Sequence, residues 1–365
     1  MAKKNKYFPQ SVSHPGKTLD EKLNELNMGP KEFAIRTGKP EKTISAILNG
    51  DSAITPDMAV KFESVLKIPA YFWLNNQRDY DEYIARVKRK NAFEKALGWA
   101  RAFPYAEMAK LGWVAATQKT EGKVEELFQF FSFSTKTAWE NYYYGKKLKV
   151  NFRISLKHTK EPYAVSAWLR QGEILAGELS APDYNAGKFK QKLRLIKNLM
   201  AEQPEYFFEK LQELCLEAGV KVVYTPCLPK APIHGSTRWL GDTPLIQLSA
   251  RYKQNDRFWF TFFHEAGHIL LHGKKYISIE NVDFDDVEIE KEHEADNFAV
   301  DWTFSEEQEK EVKNSFPVTD DDIIAFAKKF NTHPALIIGR FQHEKFLHYS
   351  EGRQFIKPIN LTNIV

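Results

Sequence analysis

The segment FTFFHEAGHILLHG, residues 260–273, sets His264, Glu265 and His268 inside one of the most apolar stretches of the chain. Phe258, Trp259, Phe262, Phe263, Ile269 and Leu270 leave a helix here apolar around most of its girth, so it has to be buried. Two imidazoles in such a helix carry a heavy desolvation cost unless something pairs with them. A helix holds residues i and i+4 about 40° apart on one face. Both rings therefore reach one cation, with the intervening carboxylate close enough to move protons beside it. The pattern predicts a Zn²⁺ site with His264 and His268 as ligands and Glu265 as the catalytic carboxylate. Gly267 lets a second element approach the metal side. On an unbroken α-helix His272 is carried past the metal, so it is left out of the site.

A site of this class needs a third protein ligand, and the candidate segment is EIEKEHEADNFAVDW, residues 288–302. Ala295, Phe298, Ala299 and Trp302 form its inward stripe at i, i+3, i+4 and i+7. Glu292 falls on the flank of that stripe, with Asp296 one turn later on the same side. Glu290 and His293 point outward, and Glu294, on the opposite edge, is the second choice. Glu292 is the expected completion of a His₂Glu set.

A chain of 365 residues is too long for one ordinary domain. Its 43% apolar and 27% charged residues are those of a soluble globular protein, and no apolar run reaches the length of a membrane span. Cys215 and Cys227 cannot build a disulfide framework and fit a reducing cytoplasm. Residues 1–90 carry 16 Lys/Arg against 11 Asp/Glu, whereas the rest carry 36 against 37. The basic excess thus lies in the first quarter, where a polyanion would be met. The expected layout is a basic tail (1–10), a helix-turn-helix domain (11–88), a helical aromatic-rich middle (89–205), a metal-binding domain (206–350) and a C-terminal tail (351–365). In the middle region Tyr142–Tyr144 read as part of a packed helical core with some surface tyrosines.

The first quarter reads as five short helices. GKTLDEKLNELN places leucines at 19, 23 and 26; PKEFAIRTG opens on a proline and stops at Gly38; KPEKTISAILNG buries Ile44, Ile47 and Leu48. TPDMAVKFESVL begins with Thr55 as N-cap, and PAYFWLNNQRDYDEYIARVKRK turns Phe72, Trp73 and Tyr80 inward. HPGKTLDEKL, TISAILNG, ITPDMAVKF and YFWLNNQRDYD resemble the HigA branch of the XRE-type DNA-binding domains over about seventy residues. The resemblance implies a recognition helix from Glu41 to Asn49 that offers Lys42, Thr43, Ser45 and Asn49 to DNA, as a homodimer on an operator near its own gene. Family members usually open the preceding helix with Ser-Gln; Gly29 and Pro30 stand there and can neither cap it nor touch DNA, which implies weak binding or an unusual site.

LCLEAGVKVVYTPCLP, GSTRWLGDTPLIQLSARYK, RFWFTFFHEAGHILLHG, EKEHEADNFAVDW and FAKKFNTHPALIIGRFQHEKFL resemble the ImmA/IrrE family of zinc metallopeptidases from about Phe207 to His348. The resemblance implies His264, His268 and Glu292 as metal ligands and Glu265 as catalytic residue. It also implies that Asp296 hydrogen-bonds a ligand histidine. The expected fold is mostly α, with a five-helix helix-turn-helix domain and a small α+β zincin-like metallopeptidase domain. VKVVY, HGSTRWL and PLIQLS would form a sheet whose edge takes substrate as an extra strand. Arg238, Arg251 and Tyr252 lie where they either touch that substrate or make ordinary salt bridges and packing contacts; the sequence does not separate the two. Two functions follow from the resemblances. One is a cytoplasmic zinc endopeptidase fused to a DNA-binding module, cutting a repressor or antitoxin protein in a stress or mobile-element response. The other is a repressor, or the antitoxin of a toxin–antitoxin pair, whose zinc domain senses or binds a partner such as a cognate toxin without proteolysis.

Overall fold

The computed structural model describes residues 11–144, 161–229, 233–275, 278–279, 286–359 and 361. The basic tail 1–10 lies outside the described residues. The chain divides into two compact units, Met1–Lys95 and Ala96–Val365. The boundary expected at 88 falls inside a continuous helix, and the region 89–205 forms no unit of its own.

The first unit holds α1 (Pro15–Glu25), α2 (Pro30–Thr37), α3 (Glu41–Leu48), α4 (Pro56–Leu66) and most of α5 (Ala70–Arg101). Prolines at the first turns of α1, α2 and α4 cost no hydrogen bond, because those N–H groups have no helical partner. Gly38 ends α2 at φ 61°, left-handed backbone that turns the chain into α3. Leu19, Phe33, Ile44, Ile47, Phe62 and Trp73 are at the centre of one core. Phe72, expected inward beside Trp73, is 36% exposed; its ring meets Trp73 edge-on at the rim. α5 adds Gln77, which accepts the buried Ile54 N–H at 2.9 Å.

The second unit begins with α6 (Tyr105–Lys110), α7 (Thr120–Phe131), α8 (Lys136–Tyr144), α9 (Pro162–Glu178), α10 (Ala186–Glu202) and α11 (Phe207–Leu216). Trp99, Phe103, Phe131, Trp139 and Tyr143 pack in one aromatic cluster of edge-to-face and tilted pairs. Tyr143 is therefore core; Tyr142 is half-buried at its margin.

Four strands follow in the spatial order β1 (Lys221–Tyr224), β3 (Thr243–Leu248), β2 (Gly235–Leu240), β4 (Ser278–Ile279). β1 runs parallel to β3, whereas β2 is antiparallel to both β3 and β4. Alternation splits the sheet between two cores: Val222, Ile246 and Leu248 face α11 and the helix after β3, and Val223 and Leu245 pack with Ala176 of α9. That next helix is α12 (Asn255–Gly267), followed by α13 (Asp286–Thr303), α14 (Glu306–Asn314), α15 (Asp320–Phe330) and α16 (Pro334–His343). The segment expected as a free C-terminal tail is folded in as far as it is described. Ile359 and Leu361 are buried in the α12 core, and the Ile359 N–H donates to the Lys253 carbonyl at 2.7 Å. No helix among the described residues is long and apolar enough to cross a membrane.

Candidate metal centre

α12 enters the core on Phe258, Trp259, Phe262 and Phe263, which fixes the rotation of the whole helix. Its last turn then faces α13, and Gly267 leaves Phe298 of that helix room to close in. Three side chains converge at the contact. His264 Nε2 lies 3.0 Å from His268 Nε2 and 3.2 Å from Glu292 Oε2, and His268 Nε2 lies 3.4 Å from Glu292 Oε1. His264, His268 and Glu292 thus form a candidate metal-holding group, with one donor atom from each inside a 4.8 Å span. A tetrahedral ion with bonds of about 2.0–2.1 Å separates its ligand atoms by about 3.3–3.4 Å. The donor set suits Zn²⁺ in both chemistry and spacing.

The protonation balance points the same way. Burial works against charge on His264, but hydrogen bonds to Asp296 and Glu292 and the field of Glu265 outweigh it and push its pKa up to about 10. At His268 burial prevails, and its pKa is pushed down to about 4. Burial alone would raise Glu292; hydrogen bonds from both imidazoles hold its carboxyl far below the usual carboxylate range. The cluster therefore demands one positive charge at its centre, which a proton on His264 supplies and a divalent cation supplies better. Asp296 Oδ1 sits 2.8 Å from His264 Nδ1, leaving the ring's Nε2 aimed at the cluster. Glu265 is fully buried, one residue beyond His264. Its Oε1 and Thr261 Cγ2 are packed so closely on Gly235 of β2 that a Cβ there would stand 2.7 Å from each.

His272, left out of the metal site, is not one of the three donors, yet it stays close to them because His268–His272 winds as a wider π-helical turn. His272 Nδ1 consequently lies 3.0 Å from His268 Nδ1, and its Nε2 lies 2.8 Å from Glu294 Oε2. Glu294 meets His272 and not the donor cluster. Of the two roles left open for Arg238, substrate contact or packing, the structure shows packing: it is only 2% exposed. It lies on the α9 face of β2 and donates to the Leu169 carbonyl and to Gln247 Oε1. Arg251 and Tyr252 are exposed and line a pocket with Arg257 and Thr261.

In the first unit α3 buries Ile44 and Ile47 and turns Lys42 and Asn49 fully outward, with Thr43 and Ser45 half-buried at its edges. α2 begins at Gly29 with no side-chain cap, as its sequence dictates.

Residues 19–73 match the helix-turn-helix family, and residues 215–337 match the family described as IrrE N-terminal-like domain, peptidase M78. An uncharacterized HTH-type transcriptional regulator of Escherichia coli (strain K12), YddM, is 40% identical over 63 residues, which are 17% of this chain and 67% of that protein. The chain belongs to the helix-turn-helix family. Its second unit carries an IrrE N-terminal-like domain. Similar solved structures include an addiction module antidote protein of a HigA family from Coxiella burnetii, 34% identical over 24% of this chain and 95% of that one, TM-score 0.23. A Pseudomonas aeruginosa antitoxin HigA, solved with the higBA promoter, is 28% identical over 22% and 89%, TM-score 0.22.

The helix-turn-helix match runs from Leu19 in α1 to Trp73 in α5, so it contains all of α2 and α3. The IrrE N-terminal-like domain opens at Cys215 in α11 and closes at Ile337 in α16, and it contains β1–β4, α12 and α13 with every residue of the donor cluster.

Proposed function

We propose that this chain is a DNA-binding regulator whose second unit is a zinc endopeptidase that cuts a repressor or antitoxin protein in the cytoplasm. The observation that carries the peptidase reading is the set of three donors from α12 and α13 at the edge lengths of a tetrahedral ion, with the Glu265 carboxylate buried beside them. Zn²⁺ held by His264, His268 and Glu292 supplies Lewis acidity to a water molecule and to the scissile carbonyl. Glu265 takes the proton from the attacking water and hands it to the nitrogen of the leaving amine. Asp296 holds the His264 ring with Nε2 toward the site. The first unit, as a homodimer, sets α3 in the major groove of an operator near its own gene, where Lys42, Thr43, Ser45 and Asn49 meet bases and phosphates.

Metal analysis of the purified chain is expected to give one zinc, lost in His264→Ala and in His268→Ala. Glu265→Gln keeps zinc and operator binding but loses cleavage of the proteins encoded beside it, because acid–base catalysis contributes about 10²–10⁴-fold. A second reading is favoured by the likeness of the first unit to a transcriptional regulator: a repressor or antitoxin whose zinc domain senses a signal or holds a partner. The two separate in one reporter strain. A wild-type response by Glu265→Gln under every inducing condition, with His264→Ala disturbed, removes proteolysis and leaves the second reading.

A further inference from the structure

The wider turn at His268–His272 gives the site a part that a regular helix would deny it. π-helical turns are rare and often sit at functional positions. Here the extra winding swings His272 back against His268, with ring centroids 5.1 Å apart and Nδ1 facing Nδ1 at 3.0 Å. The His272 side chain is 4% exposed, and its far nitrogen lies 2.8 Å from Glu294 Oε2 on α13.

Hydrogen-bond accounting fixes the direction of this chain of contacts. A carboxylate only accepts, so the proton between His272 and Glu294 sits on His272 Nε2. A zinc ion on His268 Nε2 leaves that ring's proton on Nδ1, so His272 Nδ1, 3.0 Å away, is placed to accept it. With a metal in place of the proton that His268 otherwise shares with Glu292, His268 Nε2 is the donor to the ion, 3.0 Å from His264 Nε2 and 3.4 Å from Glu292 Oε1. On the other histidine Asp296 does the same work by direct contact.

We propose that His272 and Glu294 are positioning residues, a relay from α13 through His272 that holds His268 in the one tautomer and ring orientation able to donate Nε2 to the metal. The proposal rests on the reading of His264, His268 and Glu292 as a zinc site. It separates His272 from the ligands: its own two nitrogens are engaged by His268 and Glu294, on the side of His268 away from Glu292.

The test is zinc affinity of the full chain, measured by chelator competition at one fixed pH, together with the Nδ1–H resonance of His268 in zinc-loaded protein labelled with ¹⁵N-histidine. His272→Phe keeps ring bulk but offers no acceptor, and it is expected to weaken zinc about 10–100-fold at unchanged stoichiometry. The His268 Nδ1–H signal should broaden into exchange with water. His272→Asn carries an oxygen where Nδ1 stood, and it is expected to recover part of the affinity and the signal. Glu294 is 55% exposed, so Glu294→Ala leaves the core intact and is expected to cost a smaller factor. Wild-type affinity in both His272→Phe and Glu294→Ala would overturn the relay while leaving the zinc site standing. Loss of zinc in His272→Phe as complete as in His268→Ala would make His272 a ligand and overturn it too. A wild-type chain that holds no zinc at all would overturn the underlying site, an outcome visible before any variant is made.

Discussion

Gly16 is where the first unit has the least room. It is the second residue of α1, and a Cβ built on it would lie 1.9 Å from the Ile47 carbonyl oxygen of α3 and 2.9 Å from both the Ile47 carbonyl carbon and His14 Nδ1. Ordinary contact begins at 3.4 Å, so Gly16→Ala must open a gap of about 1.5 Å between two backbones. Neither side yields easily: Ile47 and Ile44 are fully buried, and the Ile47 carbonyl also accepts the Gly50 N–H. Overpacking of this kind costs about 1–3 kcal/mol. Displacing Gly16 also disturbs the bond from its N–H to His14 Nδ1, an N-cap of about 1 kcal/mol. Alanine's better helix propensity returns at most about 1 kcal/mol. The net is a loss of about 1–3 kcal/mol, or roughly 4–24 °C for a unit of this size. The assay is amide hydrogen exchange of residues 15–74 in the full chain, alongside salt-dependent binding to the upstream DNA. α3 is expected to lose protection and affinity together although none of its outward residues has changed. Gly98→Ala, in α5 with open space around it, serves as the control and should be neutral or slightly stabilising. Wild-type protection of α3 in Gly16→Ala would refute the reasoning.

Gly235→Ala should retain zinc but weaken whatever response Glu265→Gln abolishes, because the new methyl displaces the Glu265 carboxylate and no ligand; metal content and the reporter strain read the two separately. Gln247 is fully buried, donates to the Trp168 carbonyl and accepts from Arg238, so Gln247→Met leaves the buried guanidinium with the Leu169 carbonyl alone of these two acceptors and is expected to cost about 1.5–3 kcal/mol in urea unfolding of the second unit. His333 caps α16 by accepting the Ala335 N–H at 3.1 Å, and burial with nearby Lys357 pushes its pKa down to about 4 from 6.5. The unfolded chain then binds the proton first. Its contribution is whole above pH 6.5 and declines as pH falls toward 4, by up to about 3 kcal/mol. His14 caps α1 in the same way with its pKa also lowered, so unfolding followed from pH 7 to pH 5 should weaken both units, and His333→Asn should flatten that decline in the second.

The five helices of the first unit and the contact of His264, His268 and Glu292 were legible because each depends on one regular repeat with strong punctuation. Pro15, Pro30, Thr55 and Pro56 mark starts, Gly38 marks a stop, and the apolar stripe through Ala295 and Ala299 orients Glu292. What was missed lies where the repeat changes or carries no information. The contact of His272 with His268 is invisible at 100° per residue because the turn winds more slowly. The role of Arg238 stayed open because β2 is covered on both faces from Gly235 to Arg238, so alternation there does not separate buried from exposed. Phe355, Ile356, Ile359 and Leu361 together keep neither a helical nor a strand repeat, so the pattern does not announce that this segment packs on the second unit. The boundary drawn at 88 and the division between Lys95 and Ala96 both fall inside Ala70–Arg101, where nothing breaks the helical pattern.

The donors that meet at α12 and α13 are far apart along the chain, since Glu292 comes twenty-four residues after His268. An ion on all three therefore acts as a cross-link that closes a ring of covalent chain, much as a disulfide would. For a ring of that length the entropy removed from the unfolded ensemble is worth about 3 kcal/mol. A chelator would then do more than disarm Glu265. It would cut the ring open, and α13, which Glu292 ties to the end of α12, is expected to exchange its amides sooner while β1–β3 keep their protection.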